Sequence, residues 1–264
     1  MLEIKNITKI FNAGTVNEKV ALDDVSLILN DGDFVTVIGG NGAGKSTMLN
    51  AVAGTYFVDG GSITVDGADI TRLPEHKRAK FIGRVFQDPM MGTAADMWIE
   101  ENMALANRRG MRRSLRWSIT KKEREKYREM LSELELGLEN RLSTKVGLLS
   151  GGQRQALTLL MAVMKQPQVL LLDEHTAALD PKTAATVLQL SDKFIGEYKL
   201  TSLMVTHNMK DAIAHGNRLI MMNAGKIVLD IGGEEKKRLT VEKLLELFSK
   251  SSGTEFANDR ALLG

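Results

Sequence analysis

The chain has 264 residues, 43% of them hydrophobic, enough to bury a large core without disulfide or metal staples. Its 35 Lys and Arg nearly balance 33 Asp and Glu, giving a formal net charge of +2 that argues against a nucleic-acid partner. Cysteine is absent, which excludes disulfides, thiolate metal sites and thiol nucleophiles.

Leu2, Ile4 and Ile7 alternate with polar residues and predict a strand; residues 20–29 predict a second. The opening residues lack a signal peptide's apolar stretch. Residues 30–33 read as a turn, 34–38 as a short strand, and 45–53 as a helix stopped by Gly54. Another strand is expected over 62–65. From residue 88 to 149 β-branched runs vanish and helical spacing takes over, most clearly over 121–136. Strand and helix then alternate: strands over 169–172 and 202–206, helices over 182–198 and 209–215. The expected fold is therefore α/β with a mainly parallel sheet. An N-terminal antiparallel β subdomain and an inserted α-helical subdomain join it. The expected division is a core of residues 1–87 and 150–238, a helical insertion over 88–149, and a C-terminal helix and tail over 239–264. No run approaches the roughly 20 apolar residues of a spanning helix, so any work at a membrane is expected from outside the bilayer.

Two segments carry chemistry on their own. Gly39-Gly40-Asn41-Gly42-Ala43-Gly44-Lys45-Ser46, followed by Thr47, matches the P-loop pattern between an expected strand and helix. Its glycines let backbone N–H groups wrap phosphates, and the helix adds the positive end of its dipole. Lys45 is expected to reach the β- and γ-phosphates and Ser46 to ligate Mg²⁺. Residues 169–174, Val-Leu-Leu-Leu-Asp-Glu, form an apolar strand ending in two acids. Asp173 is expected to hold Mg²⁺ and Glu174 to accept the proton of an attacking water.

Leu149-Ser150-Gly151-Gly152-Gln153, about 20 residues before Asp173, resembles the signature motif of ABC ATPases. Other positions follow the same resemblance. Gln87 resembles the Q-loop glutamine, a further Mg²⁺ contact; Asp180 lies in a D-loop-like Ala178-Leu179-Asp180; His207 resembles the switch histidine. Phe11 resembles the aromatic residue that stacks on adenine, with Val16 as a second contact to the base. Gly40, His175 and Ala177 stand where the family commonly has proline, proline and serine. His175 is read as a structural residue.

The resemblance implies a P-loop NTPase (RecA-like) core that binds and hydrolyses Mg-ATP. Catalysis would rest on Glu174, His207, Lys45 and Gln87. Phe11, residues 39 and 41–47, Ser150 to Gln153 and Asp180 would bind nucleotide. It also implies a head-to-tail homodimer in which Ser150 and Gly152 of one copy cap the γ-phosphate held by Lys45 of the other. A separate integral membrane permease would dock near residues 87–102, where Met90, Met91, Met97, Trp98 and Met103 supply adaptable apolar groups. The place of work would be the cytoplasmic face of the cell membrane. Residues 173–180 and 207–209 are most similar to importer ATPases that work with substrate-binding lipoproteins in tryptophan or tyrosine uptake. An exporter ATPase and a soluble scaffold ATPase of iron–sulfur cluster assembly are the alternatives. Residues 108–128 hold ten Arg or Lys against two Glu, a candidate face for anionic headgroups or an acidic partner.

Overall fold

A computed structural model describes residues 1–111 and 119–252. Two sheets organise it. The first is antiparallel, in the order β2-β1-β4-β5: β1 (Leu2–Phe11), β2 (Lys19–Leu29), β4 (Gly60–Val65) and β5 (Ala68–Asp69). The second has the order β10-β9-β3-β8-β7-β6. In it β9 (Arg218–Asn223), β3 (Phe34–Ile38), β8 (Thr201–Val205), β7 (Val169–Asp173) and β6 (Ile82–Val85) are parallel. The edge strand β10 (Lys226–Gly232) returns antiparallel to β9.

Parallel strands covered on both faces are apolar throughout, and β7 shows how the alternation is used. Val169 and Leu171 join one buried cluster with the first sheet and helix α1 (Lys45–Ala53). Leu170 and Leu172 join another with α5 (Gly151–Val163) and α6 (Pro181–Tyr198) on the opposite face. Ile38, Leu219 and Met221 pack on α7 (Met209–Ala214) and the C-terminal helix α9 (Val241–Ser252). Helix α2 (Glu75–Arg78) leads into β6, and α8 (Gly233–Lys237) follows β10. Its Lys236 is buried and donates to the carbonyls of His215 and Gly216, tying the chain end to the exit of α7.

The middle region contains α3 (Ile99–Asn107) and α4 (Lys121–Ser132). Tyr127 and Leu131 of α4 share a buried cluster with Met103 of α3 and with Leu157 and Leu160 of α5. Helix α5 thus belongs to both the helical region and the core. Helix α4 stops at Ser132, short of the expected residue 136, because Glu135 and Gly137 both adopt left-handed backbone (φ 55° and 71°). The β9–β10 hairpin was not anticipated. Its turn, Ala224-Gly225, has positive φ at both residues, as a two-residue hairpin with the strands' twist requires.

Candidate ATP site

The loop from Gly39 to Gly44 leaves the end of β3 and enters α1. Gly39 has φ 151°, and a Cβ there would lie 2.2 Å from the Met222 carbonyl oxygen. At Gly44 (φ 103°) a Cβ would lie 2.6 Å from the Ala21 carbonyl oxygen. Side chains are excluded at both positions by neighbouring backbone. Lys45, the first residue of α1, is 7% exposed and donates to the carbonyls of Gly39 (2.7 Å) and Gly40 (3.2 Å). Burial holds its ammonium pKa below the usual value, opposed by the charges of Glu174 and Asp173. A cavity of about 270 Å³ opens beside it, lined by Phe11, Lys19, Ala21, residues 41–47 and Glu174.

Glu174 follows β7 in left-handed backbone (φ 45°), which a glutamate adopts only where its surroundings hold it. Two bonds do so: its N–H donates to Val205 of β8, and its carbonyl accepts from Ala177. His207, two residues past β8, stands with Nδ1 3.7 Å from the Glu174 carboxylate. Adjacent strand ends thus bring the two groups together at the carboxyl edge of the sheet, where open α/β folds bind ligands. Phe11 meets Tyr56 edge-on (5.3 Å between centroids, 83°) at the cavity rim. Val16 is fully exposed and does not line the cavity.

Asp173 is held in an unanticipated way. Arg84 of β6 donates to its carboxylate at 3.1 Å, to Asn50 Oδ1 at 2.7 Å and to Thr55 Oγ1 at 3.1 Å. The guanidinium also lies 4.5 Å from the Phe86 ring. A lone arginine in an otherwise apolar parallel strand was the sequence signal for it. Fixed on several sides, Arg84 engages one oxygen of Asp173 and orients the other. Arg84→Ala is expected to raise several-fold the Mg²⁺ concentration that half-saturates ATP binding while leaving metal-free nucleotide binding unchanged. Titration of a fluorescent ATP analogue with and without chelator checks this.

Among the described residues no cluster of three or more His, Cys, Asp or Glu could hold a metal unaided. That fits Mg²⁺, which takes one or two protein oxygens and completes its octahedron with substrate phosphates and water. Ser46, on the phosphate loop, and Asp173, at the end of β7, carry side-chain oxygens of the kind such an ion takes. Gln87 is exposed on the bend that follows β6.

The signature residues sit outside the cavity's lining. Ser150 caps α5: its Oγ accepts from the Gln153 N–H (3.2 Å), and Gln153 Oε1 accepts from the Ser150 N–H (3.3 Å). A Cβ on Gly152 would lie 2.0 Å from the Thr183 methyl, so α5 enters against α6 only with glycine there. Asp180 caps α6 by accepting from the Thr183 N–H at 3.1 Å. Ser150 and Asp180 are both exposed, and neither lines its own chain's phosphate loop cavity.

His175 turns inward. It is 2% exposed, and its Nε2 lies 3.0 Å from Ser191 Oγ on α6. Ser191 donates its own proton to Val187, so His175 donates from Nε2. Burial, with the nearby His215, lowers its pKa to about 4, so it stays neutral at physiological pH. An unfolded histidine titrates near 6.5, so unfolding takes up a proton in acid. Its contribution is complete above pH 6.5 and is lost as pH falls towards 4, on the order of 3 kcal/mol. Urea midpoints measured across that range should slope more steeply for the unaltered chain than for His175→Gln.

A second cavity, about 560 Å³, runs between the core and the helical region; Arg84, Phe86, Met91, Leu105, Arg109 and Met161 line it. Of the Met and Trp residues expected to dock, only Met91 lines it; Met90, Met91 and Trp98 are exposed, Met97 is half-buried, and Met103 is buried core. Met103 is therefore removed from the expected docking set. The basic stretch over 108–128 is partly spent internally. Arg109 is half-buried, its pKa lowered by partial burial, and donates to the Ala162 carbonyl; Arg124 makes a two-pronged pair with buried Glu100. Arg108 pairs with Glu123 at 3.1 Å. These side chains are not a free face for headgroups; residues 112–118, including Trp117, lie outside the described residues.

The family model described as ABC transporter matches residues 22–177. A tyrosine transport ATP-binding protein of Clostridioides difficile is 46% identical over 248 residues, covering 94% of this chain and 98% of that protein. A spermidine/putrescine import ATP-binding protein of Haemophilus influenzae is 34% identical over 87% of this chain, which spans 57% of that relative. Among solved structures, the dimeric ATP-binding cassette MJ0796 bound to ADP and Pi matches with a TM-score of 0.75 at 30% identity, over 88% of this chain and 98% of that one. The cassette MJ1267 in its ADP conformation gives 0.77 at 28% identity, over 94% and 98%.

A phosphate loop, a strand-end carboxylate pair and a P-loop NTPase fold define an ATP-hydrolysing enzyme. The chain belongs to the ABC transporter family and is an ATP-binding subunit of that family.

Proposed function

We propose that this chain powers the import of an aromatic amino acid, tyrosine or a close analogue, through a separate membrane permease. One observation carries the mechanism. The cavity at Lys45 collects only half of the expected phosphate ligands, while Ser150 and Asp180 are exposed elsewhere on the surface. Two copies arranged head to tail supply each ATP with both halves, which is an isologous pairing. ATP binds this closed pair better than the open one, and that difference in affinity drives closure.

In the closed pair Phe11 stacks on the base, backbone N–H groups of residues 41–45 hold the phosphates, and Lys45 reaches the γ-phosphate. Ser46, Gln87 and Asp173 would hold Mg²⁺, which neutralises charge on the β- and γ-phosphates. Glu174 accepts a proton from the water that attacks the γ-phosphorus in line; the bond to the bridging oxygen breaks and ADP leaves. His207 and the partner copy's signature loop stabilise charge on the transferred group. Loss of the γ-phosphate removes the shared contacts and the pair reopens.

The groove of about 560 Å³ beside Met91 and Leu105 fits an apolar helix of the permease. Similarity along nearly the whole length of a tyrosine transport protein supports the substrate class, and similarity to a spermidine/putrescine import protein supports the direction. An extracytoplasmic substrate-binding protein would deliver the solute, and the subunit would lie on the cytoplasmic face of the membrane. Among the described residues no helix is long and apolar enough to cross it.

Purification of the tagged chain from detergent-solubilised native cells with Mg-ATP tests this. A co-purifying polytopic membrane protein, and loss of labelled tyrosine uptake when the chain is deleted, are the expected results. Recovery of soluble assembly proteins alone would favour the iron–sulfur scaffold, and efflux in place of uptake would favour an exporter.

A further inference from the structure

Gln155, one turn into α5, is fully buried. Its Nε2 donates to the Phe86 carbonyl at 3.0 Å and to the His175 carbonyl at 2.6 Å. Phe86 immediately precedes Gln87, and His175 immediately follows Glu174. Both carbonyls lie beyond the last paired residues that join β6 to β7, Val85 and Leu172. Where that ladder has ended, the glutamine amide links the two chains instead.

The chemistry of the contacts fixes the amide's orientation. Both partners are acceptors, so only the NH₂ end fits between them. The other end, Oε1, is buried and has no hydrogen-bond partner. An apolar residue of similar length would fill the space without desolvating that oxygen. Packing alone therefore does not explain a glutamine here; the two donated bonds do. The same helix begins at Ser150, five residues earlier, so its entry and the two strand ends form one linked unit.

We propose that Gln155 is a positioning residue. It fastens the backbone segments that carry Gln87 and Glu174 to the helix that begins at Ser150. A phosphate contact at Ser150 is thereby registered at both groups on the helix's own chain. The proposal rests on the assignment of Glu174 and Gln87 to the ATP site.

The test is Gln155→Met, which keeps length and removes both donors, compared with the unaltered chain and Glu174→Gln. Misplacement of reacting groups by an ångström costs up to about 100-fold, so kcat is expected to fall roughly 10- to 100-fold. ATP affinity, set at the phosphate loop and Phe11, should stay within about twofold. A kcat within twofold of the unaltered chain overturns the proposal. So does a loss of ATP affinity in parallel with the thermal midpoint, which would mark Gln155 as packing. If Gln155→Met does not fold, amide exchange in Glu174→Gln decides. Residues 87–88 and 176–177 should gain protection together with the start of α5 when ATP is added; independent behaviour of the three overturns the proposal. Full turnover by Glu174→Gln would fail the site assignment itself, a result separable from an active Gln155→Met.

Discussion

Glu174→Gln is expected to bind ATP as tightly as the unaltered chain and to lose roughly 100- to 10,000-fold of its turnover, the range a positioned general base contributes. The carboxylate lines the phosphate cavity, and adjacent strands set it 3.7 Å from His207. Glutamine keeps the shape, and the backbone bonds to Val205 and Ala177 that hold φ at 45° remain. Only the ability to take a proton is removed. The variant should therefore accumulate as an ATP-bound dimer, seen as a doubled mass by light scattering with ATP and a single mass without it. Turnover at the unaltered rate would show that another group takes the proton.

Lys45→Ala is expected to act earlier, on binding. In the structure Nζ is held by the Gly39 and Gly40 carbonyls, and burial already disfavours its charge. A bound polyphosphate restores the missing counter-charge. Hydrogen bonds to charged groups contribute about 1.5–3 kcal/mol each, so nucleotide affinity should fall roughly 10- to 100-fold. Turnover should fall at least as far, since the same ammonium meets charge on the transferred phosphoryl group. Calorimetric titration with ATP and AMP separates the cases: the loss should appear for ATP and be small for AMP, which lacks the distal phosphates.

Much of the site was legible because its parts are contiguous in sequence. The glycines at 39 and 44 are required by backbone within 2.6 Å, and such demands leave a fixed spacing. The strand over 169–173 announced itself as an apolar run ending in acids, because both its faces are buried. Other features come from packing between distant segments. Arg84 reaches Asp173 only because β6 and β7 are neighbours in the sheet, 89 positions apart. Lys19 faces the cavity because β1 and β2 pair it with Phe11. Gln155 carries no signal of its own in the sequence, because its two carbonyl partners are 69 and 20 positions away. Met103 read as surface because its spacing did not reveal that α4 covers it.

The most direct test of the two-copy site uses the chain's lack of cysteine. In the Glu174→Gln background, one preparation carries Asn41→Cys on the exposed phosphate loop and another carries Ser150→Cys. Mixed with Mg-ATP and a short bismaleimide, they should form a cross-linked heterodimer that either preparation alone does not form and that vanishes when ATP is omitted. Cross-linking of Asn41→Cys to itself, or none between the two variants with ATP present, would contradict a head-to-tail pair in which each copy completes the other's site.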